Sequence, residues 1–153
     1  MRARIARHRR DRPASWRVVE TAHERALPDV VRDAPHDACV VIDALGTWIA
    51  SVMPQLRNDE ASEDATRAAE LLDAHGAELV AAIDAAKADV IAVAEETGWG
   101  IVPVSAAARM FRDALGRLTR TVAARAERVE LVVAGYAVDV RSLGTPVDDA
   151  DGD

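Results

Sequence analysis

Short apolar runs rich in β-branched residues alternate along this chain with longer segments in which apolar residues recur at helical spacing. The short runs lie at residues 38–42, 89–94 and 129–134. Such runs are typical of strands buried in a parallel sheet. The pattern therefore predicts three buried strands, each separated from the next by helical sequence.

Three longer segments, residues 45–53, 63–87 and 105–126, have the periodicity of amphipathic helices, and Pro54 ends the first. A short Arg-rich helix is also predicted at residues 2–10, and a polar loop at residues 57–64. The apolar stripes of the two long helices are Leu72, Leu79, Val80 and Ile83 in the first, and Phe111, Leu115, Leu118 and Val122 in the second.

This alternation predicts an α/β protein with a mainly parallel sheet flanked by helices. We expect one domain over residues 1–144 and a disordered acidic tail over residues 145–153, which has little apolar surface to bury. Ligands of such folds gather at the carboxyl ends of the strands. Asp43 and Glu95, which follow the first two predicted strands, are expected to lie together there.

Composition excludes several functional classes. The net charge of −7 argues against general nucleic-acid binding. One cysteine, Cys39, forms neither an intrachain disulfide nor a thiolate metal cluster. No apolar run approaches the ~18 residues that a membrane span needs, and no signal peptide is apparent. These features predict a cytoplasmic protein.

The basic start of the chain carries the first chemical signal, R-I-A-R-H-R-R-D-R-P-A-S-W over residues 4–16. The surrounding guanidinium groups favour a neutral imidazole at His8, and a neutral imidazole is a competent nucleophile. Arginines also bind phosphate oxygens in pairs of hydrogen bonds. The pattern suits nucleotidyl transfer. Taken alone, the pattern favours a solvated face or an anion- or nucleic-acid-binding arm in which His8 has no chemical role.

A second signal, V-V-I-D-A-L-G-T-W over residues 40–48, places Asp43 where nucleotide-binding folds hold a magnesium-linked acid. The structural alternative is that Asp43 caps the following helix by accepting hydrogen bonds from exposed amides.

A third signal joins E-E-T-G-W-G-I-V-P, residues 95–103, to R-M-F-R-D-A-L-G, residues 109–116. The structural alternative is that Gly98 and Gly100 merely permit positive backbone angles while Trp99 anchors packing.

These three clusters, together with V-E-L-V-V-A-G at residues 129–135, resemble the adenosylcobinamide kinase/adenosylcobinamide-phosphate guanylyltransferase family of cobalamin biosynthesis. The resemblance spans Met1 to about Arg141. It implies a P-loop-NTPase-like, RecA-like fold, homotrimeric assembly, and an enzyme that acts on adenosylcobinamide and adenosylcobinamide phosphate with GTP or ATP and Mg²⁺.

Site residues are implied by position in the same way. His8 matches the histidine that carries GMP as a covalent phosphoramidate. The adjoining nucleotide-binding stretch is matched by Arg9, Arg10, Asp11 and Arg12, and the acidic nucleotide contacts are matched by Glu20 and Asp43. No metal ligand set is implied beyond the magnesium that accompanies the nucleotide.

Several positions depart from the family pattern, namely Glu95 for Asn, Thr97 for Val and Thr119 for Asn. The family also opens with a strand and a G-x-x-x-x-G-K-S/T phosphate loop, and these 153 residues contain no such motif; Lys87 is the sole lysine. We expect a start codon assigned too far downstream or, failing that, a truncated gene. In-frame translation upstream of Met1 should then reveal the loop within roughly 40 codons, the scale of one βα unit.

Two alternatives stay open at the level of sequence. One is a non-catalytic remnant of the family, and the other is a nucleic-acid-binding protein that uses the Arg-rich amino-terminal helix. The latter predicts steeply salt-dependent binding to duplexes, whereas a guanylyltransferase predicts selective binding of GTP.

Overall fold

The computed structural model describes residues 12–21, 26–53 and 63–147 of the chain. The predicted helix at residues 2–10 lies outside these ranges, as do residues 57–62 of the predicted polar loop and most of the predicted tail. The remaining predicted elements fall within them.

All three long predicted helices and the first two predicted strands are confirmed, with bounds that differ by at most three residues. Within the described ranges the helices are α1 (Ala26–Arg32), α2 (Leu45–Val52), α3 (Glu63–Asp84), α4 (Ala106–Arg125) and α5 (Val140–Leu143), and the strands are β1 (Cys39–Asp43), β2 (Asp89–Val93), β3 (Glu130–Val133) and β4 (Tyr136–Asp139).

Strands β1 and β2 form the predicted parallel pair, with Cys39 opposite Asp89 and Asp43 opposite Val93. One face of the pair packs on the helical core. Residues of the other face remain exposed in the described structure, among them Val41 and Ile91, which are directly opposite each other. The prediction of fully buried strands was therefore wrong for this face, because a short apolar run does not reveal whether one or both faces are covered.

The core lies between the inner sheet face and helices α1 to α4. Helix α2 buries residues at spacings of three and four, Leu45, Trp48, Ile49 and Val52, and so presents one apolar stripe. Helix α3 packs against α1, α2 and α4. The largest fully buried side chains include Leu45, Ile49, Leu72, Leu79 and Leu115. The predicted stripes of α3 and α4 thus supply the core, with Ile83, Phe111 and Val122 only partly buried against it.

Local signals fix the ends of α4. The Ser105 hydroxyl accepts a hydrogen bond from the Ala108 amide at 3.3 Å and caps the first turn. Two surface ion pairs then join α4 to α3, Arg117 to Asp73 and Arg125 to Asp84, each at 2.9 Å. Each pair is half exposed, so each contributes only modestly to stability.

The prediction of a third strand at residues 129–134 is confirmed by β3, but the prediction that this strand is buried was wrong. Strand β3 pairs antiparallel with β4 through a two-residue turn, and Val132 is 70% exposed. Ala134 and Gly135 both have positive φ, 51° and 82°, as a two-residue hairpin turn with the right-handed strand twist requires. Consecutive β3 and β4 form a sheet separate from β1–β2. A local apolar pattern cannot specify which sheet a strand joins.

Candidate functional site

The carboxyl ends of β1 and β2 bring together the acids that the sequence predicted there. Asp43 is the last residue of β1 and lies opposite Val93, the last residue of β2, and Glu95 follows two residues later. Parallel pairing makes this unavoidable, since both strands point the same way. The prediction that Asp43 and Glu95 lie at one sheet edge is confirmed.

Glu95, not Asp43, accepts the hydrogen bond at the start of α2. Its Oε2 atom accepts from the Gly46 amide at 3.0 Å, across 49 residues of sequence. The N-cap residue of α2 is Ala44, and no side-chain hydrogen bond caps it locally. A carboxylate is favoured here because the exposed amides of a helix amino terminus carry partial positive charge. The structural alternative, in which Asp43 caps α2, is therefore wrong.

Gly46 makes this contact possible through its lack of a side chain. A Cβ atom at this position would lie 2.4 Å from Glu95 Oε2 and 2.9 Å from Glu95 Cδ. Any larger residue would push the carboxylate away from the helix. Glu95 and Gly46 thus tie the end of β2 to the helix that follows β1.

Asp43 is left exposed at the same edge. Because Glu95 takes the capping position, the Asp43 carboxylate is available to a ligand. Within the described ranges, no group of three or more His, Cys, Asp or Glu side chains is placed to hold a metal ion. Protein sites for Mg²⁺ with nucleotides need only one or two carboxylates, the remaining ligands being phosphates and water. A single accessible carboxylate fits that requirement.

The glycine-containing segment after β2 is held by two arginines from the first turns of α4. Arg109 Nη1 donates to the carbonyl oxygens of Pro103, at 2.9 Å, and Val104, at 2.6 Å. Arg112 donates to those of Gly98, Nη2 at 2.7 Å, and Gly100, Nη1 at 3.3 Å. A spacing of three places both guanidinium groups on one side of the helix. The R-M-F-R motif is visible in the sequence, but its role in holding this segment is not, because the contact depends on tertiary packing.

Neither structural alternative for this segment is correct. Gly98 and Gly100 do not have positive φ, since Gly135 is the glycine for which the described structure records one. Trp99 is 72% exposed, so it does not anchor packing within the chain. The glycines instead place their carbonyl oxygens within reach of Arg112.

An open cleft of about 420 Å³ lies between this segment and α4. No sequence motif predicts this cleft. Among its lining residues is Thr119, whose Oγ1 atom is buried without a hydrogen-bond partner. The full lining is Glu95, Glu96, Thr97, Gly98, Arg112, Asp113, Gly116, Arg117, Thr119 and Arg120.

The other predicted site residues belong to the amino-terminal part of the chain. His8, Arg9, Arg10 and Asp11 lie outside the described residues. Arg12 is half buried and Glu20 is exposed, in a segment without helix or strand whose one turn is closed by the Trp16 amide donating to Pro13 O at 3.0 Å. The structure therefore brings Asp43 together with Glu95 and leaves the grouping around His8 as a prediction.

A search of the described helices for one long and apolar enough to cross a membrane finds none.

Helices packed on a parallel strand pair, with acids at its carboxyl edge, make this a mixed α/β protein of the P-loop-NTPase-like type. The sequence model of the family described as cobinamide kinase / cobinamide phosphate guanyltransferase matches residues 1–140. The chain belongs to this family.

Characterised relatives carry names consistent with that family. The chain is 34% identical over 144 residues to the bifunctional adenosylcobalamin biosynthesis protein CobU of Salmonella typhimurium LT2, and 33% identical over 144 residues to its Escherichia coli K12 counterpart. Both matches cover 92% of this chain and 78% of the relative. It is also 32% identical over 142 residues to the bifunctional protein CobP of Pseudomonas aeruginosa, covering 92% of this chain and 75% of that one.

Proposed function

We propose that this chain is a guanylyltransferase of cobalamin nucleotide-loop assembly that transfers GMP from GTP to adenosylcobinamide phosphate. The observation that carries the proposal is the family match over residues 1–140, which includes every residue assigned a role below. The exposed Asp43 carboxylate at the sheet edge supports it, because nucleotide-binding α/β folds bind their ligands at that edge.

The proposed reaction has two displacements at one phosphorus atom. The neutral imidazole of His8 attacks the α-phosphorus of GTP, the bond to the bridging oxygen breaks, and pyrophosphate leaves with the electron pair. A phosphate oxygen of adenosylcobinamide phosphate then attacks the same phosphorus, and the P–N bond to His8 breaks. The products are adenosylcobinamide-GDP and the free histidine.

The remaining assignments follow from charge and hydrogen-bonding capacity. Arg9, Arg10 and Arg12 bind phosphate oxygens and offset the negative charge that develops in each displacement. Asp11 and Glu20 accept hydrogen bonds from the guanosine. Asp43 holds Mg²⁺, which when bound neutralises charge on the triphosphate.

The kinase activity of the family is a separate matter. A G-x-x-x-x-G-K-S/T loop holds β- and γ-phosphates through its amides and lysine, and no such motif occurs in these 153 residues. We propose that the 153-residue chain does not phosphorylate adenosylcobinamide. Transfer of label from γ-labelled ATP or GTP to adenosylcobinamide by the purified chain would contradict this.

The central experiment asks for the covalent intermediate. Incubation with Mg²⁺ and GTP labelled at the α-phosphate should leave a GMP adduct on the protein that is acid-labile and base-stable, as a phosphoramidate is. His8→Ala should abolish the adduct. His36→Ala removes an exposed histidine outside any arginine cluster and is the matched control, which should label as the wild type does.

The labelling should be run on the 153-residue chain and on a version that includes any in-frame codons upstream of Met1. We expect weaker labelling of the shorter protein, since positioning of the triphosphate for in-line attack contributes strongly to rate. An adduct that survives in His8→Ala, or maps to another residue, would reject the mechanism. Label in neither protein would reject the guanylyltransferase itself.

Family resemblance also suggests a homotrimer in the cytoplasm, which we include in the proposal. Sedimentation equilibrium would measure the assembly: a monomer at all concentrations would rule the trimer out.

A further inference from the structure

The segment after β2 exposes an unusual concentration of apolar surface. We define residues 97–104 as the apolar loop. Four of its eight residues are large and apolar and face solvent, Trp99, Ile101, Val102 and Val104, with Ile101 96% exposed. Single exposed apolar residues are ordinary, whereas a contiguous patch marks a binding surface.

Hydrogen bonds fix the backbone of the apolar loop. Arg109 and Arg112 together donate hydrogen bonds to four of its carbonyl oxygens, and the Gly98 amide donates to Glu96 Oε1 at 2.7 Å. These bonds direct backbone polar groups toward protein partners and leave the side chains outward. A surface held in advance binds a ligand with less loss of conformational entropy.

The cleft beside the apolar loop has balanced charge. Its lining includes three carboxylates and three guanidinium groups, namely Glu95, Glu96, Asp113, Arg112, Arg117 and Arg120. An anion would meet as much negative as positive charge there. Carboxamide groups suit the lining better, because their NH₂ donates to carboxylates and their oxygen accepts from guanidinium groups.

Size indicates a ligand that extends beyond the cleft. A volume of about 420 Å³ is near the lower end of the roughly 300–1,000 Å³ of small-molecule sites. A larger ligand would occupy it only in part and lie otherwise against the apolar loop, which adjoins it through Thr97 and Gly98.

The cleft also adjoins the sheet edge. Glu95 lines the cleft and accepts from the Gly46 amide, three residues after Asp43. A ligand in the cleft is therefore a neighbour of the edge at which we propose nucleotide binding. This is the placement that an acceptor substrate requires.

We propose that the apolar loop and the adjoining cleft bind the corrin ring of the acceptor, with the apolar face of the ring against Trp99 and Ile101 and its peripheral carboxamides in the cleft. A corrin combines a broad, methyl-bearing macrocycle with a rim of carboxamides, and this matches the two surfaces. The inference rests on the proposed function and adds to it the residues that recognise the acceptor.

The test measures binding of adenosylcobinamide to the full chain by equilibrium dialysis, using the absorbance of the corrin. The loop variant is Trp99→Ser with Ile101→Ser. The matched control is Val132→Ser with Leu143→Ser, which removes two other highly exposed apolar side chains from outside the apolar loop. We expect at least tenfold weaker binding by the loop variant, less than twofold change in the control, and unchanged GTP binding in both.

Arg109→Lys gives an independent test, since Arg109 does not line the cleft. It keeps the charge but replaces the rigid guanidinium, whose Nη1 donates to both Pro103 and Val104, with a flexible ammonium. Faster amide exchange across residues 97–104 together with weaker adenosylcobinamide binding would support a positioning role. Faster exchange with unchanged binding would overturn the claim that the held loop recognises the ring.

The outcomes separate this inference from the function on which it rests. Wild-type protein that binds GTP but neither adenosylcobinamide nor adenosylcobinamide phosphate would reject the acceptor proposed for the enzyme. Equal binding by wild type and loop variant would reject the apolar loop as the corrin surface and leave the guanylyltransferase standing. A wild-type oligomer that dissociates in the loop variant, with corrin binding retained, would identify the loop as a contact between copies and also overturn the inference.

Discussion

The two strand pairs of this protein have similar sequences and different surroundings. C-V-V-I-D and D-V-I-A-V form the parallel pair β1–β2, and E-L-V-V forms half of the antiparallel hairpin β3–β4. Ile42 in β1 is 4% exposed, whereas Val132 in β3 is 70% exposed. Helices α1 to α4 account for the difference, because they supply the core against which the inner face of β1–β2 packs.

The same kind of β-branched run therefore contributes to stability in different ways in the two strand pairs. In β1–β2 the contribution comes from burial against helices and from the Glu95 contact that secures α2. In β3–β4 it comes from backbone pairing and from the turn at Ala134 and Gly135. Substitutions should therefore have effects set by surroundings and not by residue type.

The largest effect is expected for Ile42→Ala. Removing a buried isoleucine side chain loses burial and leaves a cavity, which costs about 2–5 kcal/mol of the free energy of unfolding. Urea denaturation followed by circular dichroism measures it. Val41→Ala, on the exposed face of the same strand, is the control and should cost about 1 kcal/mol or less. Equal losses would mean that the outer face is covered in solution.

Gly135→Ala should destabilise the hairpin selectively. A residue with a Cβ at φ 82° costs about 1–2 kcal/mol, and no neighbouring atom lies within 4 Å to add a clash. Hydrogen exchange of β3 and β4 amides should accelerate about five- to thirtyfold. The same change at Gly116, exposed within α4, should stabilise the protein by about 0.5–1 kcal/mol. Unchanged exchange in the hairpin would contradict the turn assignment.

Glu95→Ala should cost about 1 kcal/mol, because the helix amino terminus of α2 loses an acceptor comparable to a capping side chain. Glu95→Gln keeps an oxygen acceptor and should lose less. Asp43→Ala should leave the free energy of unfolding nearly unchanged, since Asp43 does not cap α2. If Asp43→Ala proved the more destabilising substitution, the division of roles between the two carboxylates would be wrong.

Val132→Ala should have the smallest effect, within about 0.5 kcal/mol, as for most exposed positions. Thermal unfolding measures this effect beside that of Val90→Ala, on the half-buried inner face of β2. We expect Val90→Ala to lose more stability than Val132→Ala. A loss at Val132 as large as at Val90 would indicate that the hairpin surface is covered in solution, and sedimentation would then identify a second copy as the cover.

Predictions from sequence held where the physics is local. Helical periodicity located α2, α3 and α4, since each stripe is read over a few turns, and Pro54 gave the end of α2. The meeting of Asp43 and Glu95 was also predictable, because parallel strands share a carboxyl edge whatever their neighbours. The amino-terminal assignments, His8 with Arg9, Arg10 and Asp11, lie outside the described residues and remain predictions.

The sequence by itself determined α2, α3 and α4, the strands β1 to β3 and the edge at which Asp43 and Glu95 meet, because each depends on residues a few positions apart or on strand direction alone. Only the tertiary structure decided that Glu95 and not Asp43 contacts α2, that Arg109 and Arg112 hold the apolar loop, and that β3 belongs to an exposed hairpin. Each of these features depends on how close two elements lie in the folded protein. A local sequence pattern does not specify that distance. Burial in particular depends on the elements that pack against a strand, and an apolar run does not indicate which of its faces those elements cover.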